Sequence, residues 1–269
     1  MKNIYETLVI CGRYFEHMDF LDGIKCGKRE GAQPVKGKRK QNKIRLDSLL
    51  RTKQKLRRLI WCNENRMKTF ITLTFKENFK DLQMANVLFQ NFIKKMTYRF
   101  CELAYIGAPE FQKRGAVHYH LLTNVPYISN EDVSSMWVHG FVTIKAVTKE
   151  CNMARYLTKY LTKDSASDDD RFFNKKKIFY SKNICKPEIL RDPKDIKARL
   201  DYYRPTLKQL YEQPLKIDFV GPAIYKLFES IVSHEFVPTT KEEFDKKLRS
   251  MLDVMNNSNS ASKVNTLKS

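Results

Sequence analysis

The spacing of apolar and polar residues changes period several times along the chain, and each change predicts an element. Between Met67 and Lys76, Phe70, Thr72 and Thr74 alternate with Ile71, Leu73 and Phe75. A period of two is that of a strand, with one apolar face and one bearing hydroxyls. From Asp81 to Phe100 the period becomes helical, with Leu82, Ala85, Leu88, Phe89, Phe92, Ile93 and Met96 on one stripe. Two apolar stretches follow, Tyr105 to Phe111 and Val117 to Thr123, joined through Lys113-Arg114-Gly115-Ala116. Glycine supplies the backbone freedom of a turn there, so the two stretches form a hairpin. Ser129 or Asn130 caps a short helix ending near Trp137, and His139-Gly140 makes a turn into a strand from Phe141 to Val147. A further helix starts at Thr148 or Lys149. This order predicts an α+β fold, an antiparallel sheet with helices packed on it.

The flanks are less regular. Ile4 to Cys11 reads as a short strand and Gly23 to Pro34 as a loop. Ile44, Leu46, Leu49, Leu50, Leu56, Leu59 and Ile60 make an apolar stripe, which predicts a helix within Lys36 to Arg58. After Lys163 come a polar acidic loop, Asp164 to Asp170, and a short strand near Ile178 to Ser181. Short helical patterns follow, broken by Pro187, Pro193, Pro205, Pro214 and Pro222. Lys241 to Met255 reads as a helix. The division that results is a basic helical N-terminal extension, residues 1–66, a core, 67–163, a mostly helical C-terminal region, 164–255, and a disordered tail, 256–269.

Candidate chemistry concentrates in the core. On the second hairpin strand His118 and His120 point to one face and Tyr119 to the other. The first strand carries Glu110 back beside them when the turn centres near Arg114. A register slip would offer Gln112 on the same face, or Phe111 on the other. Two imidazoles and a carboxylate with open positions suit a catalytic divalent metal. A second stretch repeats Tyr-Leu-Thr-Lys twice, from Tyr156 to Lys163. On a helix Tyr156, Lys159, Tyr160 and Lys163 share one sector, while Leu157 and Leu161 form an adjacent apolar stripe.

Charge narrows the partners. Lys plus Arg number 50 against 30 acidic residues, for a formal net charge of +20. That balance points to a polyanion, with nucleic acid first. Residues 36 to 58 hold eleven basic side chains (Lys36, Lys38, Arg39, Lys40, Lys43, Arg45, Arg51, Lys53, Lys55, Arg57 and Arg58) against the single acid Asp47. Segregation this strong marks a phosphate-contacting zone, which Arg114 in the hairpin turn extends. An anionic membrane surface is the alternative polyanion, though no membrane partner is expected, and with no apolar run long enough no transmembrane helix is expected. The six cysteines are scattered and include no Cys-x-x-Cys, as expected of reduced thiols in a cytoplasm.

Three pieces in order carry a resemblance: Phe70-Ile-Thr-Leu-Thr-Phe75, Gly115-Ala-Val-His-Tyr-His120 and Tyr156-Leu-Thr-Lys-Tyr-Leu-Thr-Lys163. Together they resemble the three-motif signature of the HUH endonuclease superfamily, the rolling-circle replication initiators. The paired tyrosines resemble the two-tyrosine initiators of small single-stranded DNA phages, and the motif wording is most similar to the gokushovirus branch of the microviruses. The resemblance covers about residues 67 to 163.

It implies a replication-initiation endonuclease that nicks single-stranded or melted origin DNA and later rejoins it. His118, His120 and Glu110 would hold Mg²⁺ or Mn²⁺. Tyr156 or Tyr160 would be the nucleophile, forming a 5′-phosphotyrosine, with Lys159 or Lys163 lowering the phenol pKa or stabilising phosphate charge. The cell would be a bacterial host, and the protein cytoplasmic. With no Gly-x-x-x-x-Gly-Lys-Ser/Thr loop in the chain, unwinding and synthesis fall to a host helicase and polymerase. The competing readings are an HUH transposase or relaxase, and a non-catalytic basic nucleic-acid-binding protein whose histidines are structural.

Overall fold

The structure, a computed structural model, describes residues 2–26, 46–126, 128–148, 153–160, 175–217 and 220–231. In chain order the strands are β1 (Lys2–Cys11), β2 (Tyr14–Cys26), β3 (Thr69–Phe75), β4 (Tyr105–Phe111), β5 (Val117–Thr123), β6 (Gly140–Ala146), β7 (Phe179–Tyr180), β8 (Glu188–Leu190), β9 (Leu207–Ile217) and β10 (Gly221–Ser230). The helices are α1 (Leu46–Cys62), α2 (Leu82–Arg99), α3 (Asn130–Met136), α4 (Met153–Tyr160) and α5 (Pro193–Tyr203). The fold is α+β, with two five-stranded sheets. The chain divides into two compact units: Lys25–Glu188 with Met1–Lys2, and Asn3–Ile24 with Ile189–Ser269.

In the first unit the sheet order is β6-β3-β5-β4-β7, antiparallel throughout. The central strands β4 and β5 are buried along their whole length, because both faces are covered. On one face Ile71, Leu73, Phe75, Tyr119 and Leu121 pack against Phe89, Phe92 and Met96 of α2 and Val133 of α3. Tyr119 stacks on Phe89 with ring centroids 4.3 Å apart. Its hydroxyl donates to Asn86 Oδ1 at 2.7 Å. Asp81 caps α2 by accepting from the Gln83 and Met84 amides, and Ser129 caps α3, as expected of the shorter helix.

On the opposite face Phe70, Ile106, Ala108 and Leu122 pack against Leu56, Leu59 and Ile60 of α1 and Ala154 and Leu157 of α4. The helix α1 therefore runs past Arg58, since Leu59 and Ile60 are anchors on this face. Leu50 leaves the predicted stripe and is exposed. Lys36–Arg45 lie outside the described residues, so the predicted helix is seen only from Leu46. The acidic loop, the Lys241 to Met255 helix and the 256–269 tail also lie outside them.

Strand β6 lies against β3 with no room for a side chain at Gly140. A Cβ there would stand 2.1 Å from the Thr74 carbonyl oxygen and 2.5 Å from the Lys76 nitrogen. Both are backbone atoms and can move only if the strands separate. Gly140→Ala is expected to cost about 3 kcal/mol, the upper end of ordinary overpacking. The melting temperature of the first unit should fall by roughly 10 °C in a calorimetric scan.

The second unit corrects the expectation for both ends of the chain. Its sheet order is β8-β1-β2-β10-β9, with β2 and β10, and β10 and β9, antiparallel. Residues 1–66 are not one helical extension: residues 2–26 form β1 and β2, and β2 runs through Gly23 to Cys26, where a loop was expected to begin; the rest of that loop lies outside the described residues. Beyond residue 164 the described chain is not mostly helical: it holds the short strands β7 and β8, one α-helix, α5, and the long β9–β10 hairpin. Pro214 and Pro222 do not break helices. Pro214 sits on β9, a sheet edge, and Pro222 near the start of β10, where strands accept proline. Helix α5 is capped by Asp192 with Pro193 in its first turn. Its Ile196 and Tyr203 cover Leu8, Ile10 and Phe15 of the sheet.

Candidate active site

The register of three neighbouring strands assembles the site. Thr72 pairs with His120 and Thr74 with His118 across β3 and β5, while Glu110 pairs with His118 across β4 and β5. All five side chains stand on the face that α1 and α4 cover, beyond the apolar part of that face. Glu110, His118 and His120 are 5%, 6% and 4% exposed. The His120 Nε2–H donates to Glu110 Oε2 at 2.6 Å. The two imidazole centroids are 6.5 Å apart. The Thr72 and Thr74 hydroxyls lie 3.2 and 3.4 Å from Nδ1 of His120 and His118. A hydroxyl can donate or accept, so it holds either ring tautomer in place. Hydrogen bonding at Nδ1 is the usual arrangement behind an imidazole that ligates through Nε2.

Register places Glu110, and not its neighbours in sequence, beside the histidines. Phe111 belongs to the opposite core, and Gln112 accepts from Arg114 Nε at 2.9 Å in the hairpin turn. Gly115, at φ 89°, makes that turn possible. Two imidazoles and one carboxylate are a donor set that fits Mg²⁺ or Mn²⁺, with Mn²⁺ favoured by nitrogen ligands.

Helix α4 is fixed on this face by Ala154 and Leu157, packed beside Ile106, Ala108 and Leu122, which continue the rows of Glu110 and the histidines. Tyr156, Lys159 and Tyr160 belong to the backbone of α4. Their side chains, and all of Lys163, lie outside the described residues. Tyr119, between the histidines in sequence, points to the other face, and burial pushes its phenol far above the ordinary value. It packs in the core under α2, away from the histidines.

Of the basic candidates, Arg51 and Lys55 are exposed on α1, Lys53, Arg57 and Arg58 are half-buried there, and Arg114 is exposed at the hairpin turn. The Lys55 ammonium lies 5.2 Å above the Tyr180 ring and the Arg57 guanidinium 4.8 Å above Trp61. Lys36, Lys38, Arg39, Lys40, Lys43 and Arg45 lie outside the described residues. Among the described residues no helix is long and apolar enough to cross a membrane. One cluster escaped the sequence reading: Glu6, His17 and Asp19, in the second unit, have ligand atoms within 4.8 Å of one another. The signal was His17-Met-Asp19 on a strand.

Thus the first unit is an α+β sheet layer presenting a buried, cation-compatible His-x-His and carboxylate group under a tyrosine-bearing helix. Residues 68–165 match the model of a family of replication-associated proteins, described under the name ORF2. The match runs from the start of β3 through α4, so it takes in every residue of this site. No curated protein and no solved structure matches the chain significantly.

Proposed function

We propose that the protein is a replication-initiation endonuclease of the HUH type, nicking single-stranded or locally melted origin DNA in rolling-circle replication. The observation that carries this reading is the buried contact of His120 with Glu110 on the sheet face that anchors α4. The family match over the same span supports it.

In this reading His118, His120 and Glu110 hold a divalent cation, which when bound supplies Lewis-acid polarisation of the scissile phosphate. Thr72 and Thr74 orient the imidazoles, and the apolar packing under α1 and α4 keeps the groups rigid. The phenol oxygen of Tyr156 or Tyr160 attacks phosphorus. The bond from phosphorus to the 3′ oxygen breaks, the phenolic proton is lost to solvent and the leaving oxygen takes one up. The products are a free 3′-hydroxyl and a 5′-phosphotyrosine, and the retained ester lets the ends be rejoined without a nucleotide cofactor. A phenol with a pKa near 10 is a poor nucleophile at neutral pH. Lys159 or Lys163 favours its ionised form or offsets phosphate charge. Residues one helical turn apart have Cβ atoms about 5–6 Å apart, so two tyrosines can serve one site in turn. The basic residues of α1 and the segment before it, with Arg114, hold the strand by its phosphates. Host helicase and polymerase supply unwinding and synthesis in the cytoplasm of a bacterial host.

The expected result is cleavage of labelled single-stranded origin-region DNA in Mn²⁺ or Mg²⁺, stopped by a chelator and restored by excess metal. Tight binding unaffected by chelator, with no cleavage of any origin fragment, would leave a non-catalytic nucleic-acid-binding protein.

A further inference from the structure

We infer that the second unit carries a separate divalent-cation site made by Glu6, His17 and Asp19. His17 and Asp19 are two residues apart on β2 and so share a face. Glu6 projects beside them from β1, the next strand in the sheet. The His17 Nε2 lies 3.1 Å from Glu6 Oε2 and 3.2 Å from Asp19 Oδ1. All three ligand atoms lie within 4.8 Å of one another. Ligands held about 2.0–2.2 Å from one tetrahedral ion stand roughly 3.4 Å apart, and both His17 contacts are within tenths of an ångström of that spacing.

The surroundings favour a cation over a simple hydrogen-bonded trio. One imidazole N–H has one proton to share between two carboxylates from different strands. Metal at Nε2 replaces that proton with two positive charges. The other Asp19 oxygen, Oδ2, accepts from Lys226 Nζ of β10 at 2.9 Å. That contact is an ion pair between neighbouring strands. It fixes Asp19 so that Oδ1 stays turned toward His17, the task of a partner behind a metal ligand. The His17 side chain is 10% exposed, whereas Glu6 and Asp19 are 26% and 28% exposed, so the ligand set is anchored on one side and reachable from solvent on the other. Imidazole with two carboxylates suits Mn²⁺ or Zn²⁺ better than Ca²⁺. The site shares no residue and no sheet with Glu110, His118 and His120, and it stands whether or not the nuclease reading holds. A cation there ties β1 to β2.

The test is a titration of the full chain with Mn²⁺, which binds thiols weakly, followed by loss of the free-ion electron paramagnetic resonance signal. The background is His118→Ala with His120→Ala, removing the first site. One bound equivalent should remain. It should weaken by more than about 100-fold on adding either His17→Gln or Glu6→Gln, two variants of similar size, so that one misfolding still leaves the other. Thermal stability should rise with Mn²⁺ in the background protein and not in the variants. No bound equivalent in the background protein, or one that survives both substitutions, would overturn the site.

Discussion

Replacing either His118 or His120 with alanine should lower metal-dependent nicking by about 10³-fold, because a Lewis acid supplies several kcal/mol in the transition state and each 1.36 kcal/mol is tenfold. Both imidazoles are almost fully buried, so they are fixed before substrate arrives. Glu110→Gln keeps the size of the side chain and an oxygen that still accepts from His120. It removes the negative charge, so it should weaken metal affinity and nicking while leaving the fold intact. Thr72→Val and Thr74→Val should act through the imidazoles, with losses nearer 10- to 100-fold in metal affinity. The discriminating readout is metal dependence. A ligand variant should need more Mn²⁺ to reach its rate, whereas a variant that merely loosens the fold should lose melting temperature at every metal concentration. Full activity of His120→Ala at ordinary Mn²⁺ would remove this residue from the site.

Salt should weaken single-stranded DNA binding steeply. Six phosphate contacts give a slope of about −4 in log affinity against log salt, or roughly 300-fold between 50 and 200 mM. The basic run from Lys36 to Arg58 has the charge to make them. Arg51→Gln, Lys53→Gln and Lys55→Gln together should reduce the slope by about 2, equally on every sequence, because phosphate contacts carry no base information. Arg51 and Lys55 are exposed, and α1 is held on the sheet by Leu56, Leu59 and Ile60. The triple variant should therefore fold normally. An unchanged slope in a folded variant would make the helix a solvated charged surface.

Local patterns predicted the first unit well. Strands β3, β4 and β5 and helix α2 announce themselves by period because their partners are close in sequence, and the Glu110 register follows from one turn around Arg114. The second unit was hidden by distance. Strand β2 pairs with β10, its Phe15 opposite Phe228, more than 200 residues away. Its alternation is masked by Glu16, His17 and Asp19, polar residues that bond across the sheet instead of facing water: Tyr225 donates to Glu16 and Lys226 to Asp19. In β9 the proline and the run of polar residues suggested broken helices, yet an edge strand tolerates both. The Glu6–His17–Asp19 group was missed for another reason: its strands are neighbours in sequence, but β2 was not read as a strand, so His17 and Asp19 were not placed on one face beside Glu6.

The tyrosines decide whether the site is a nicking-joining enzyme. Trypsin would release the same tetrapeptide, Tyr-Leu-Thr-Lys, from both positions, so peptide mapping cannot separate them and substitution must. Labelled single-stranded origin DNA, incubated with Mn²⁺ and run on a denaturing gel, should give a covalent protein–DNA adduct with the natural chain, with Tyr156→Phe and with Tyr160→Phe, and none with the double variant. An adduct that persists in the double variant, or cleavage that never passes through one, would contradict tyrosine as the nucleophile.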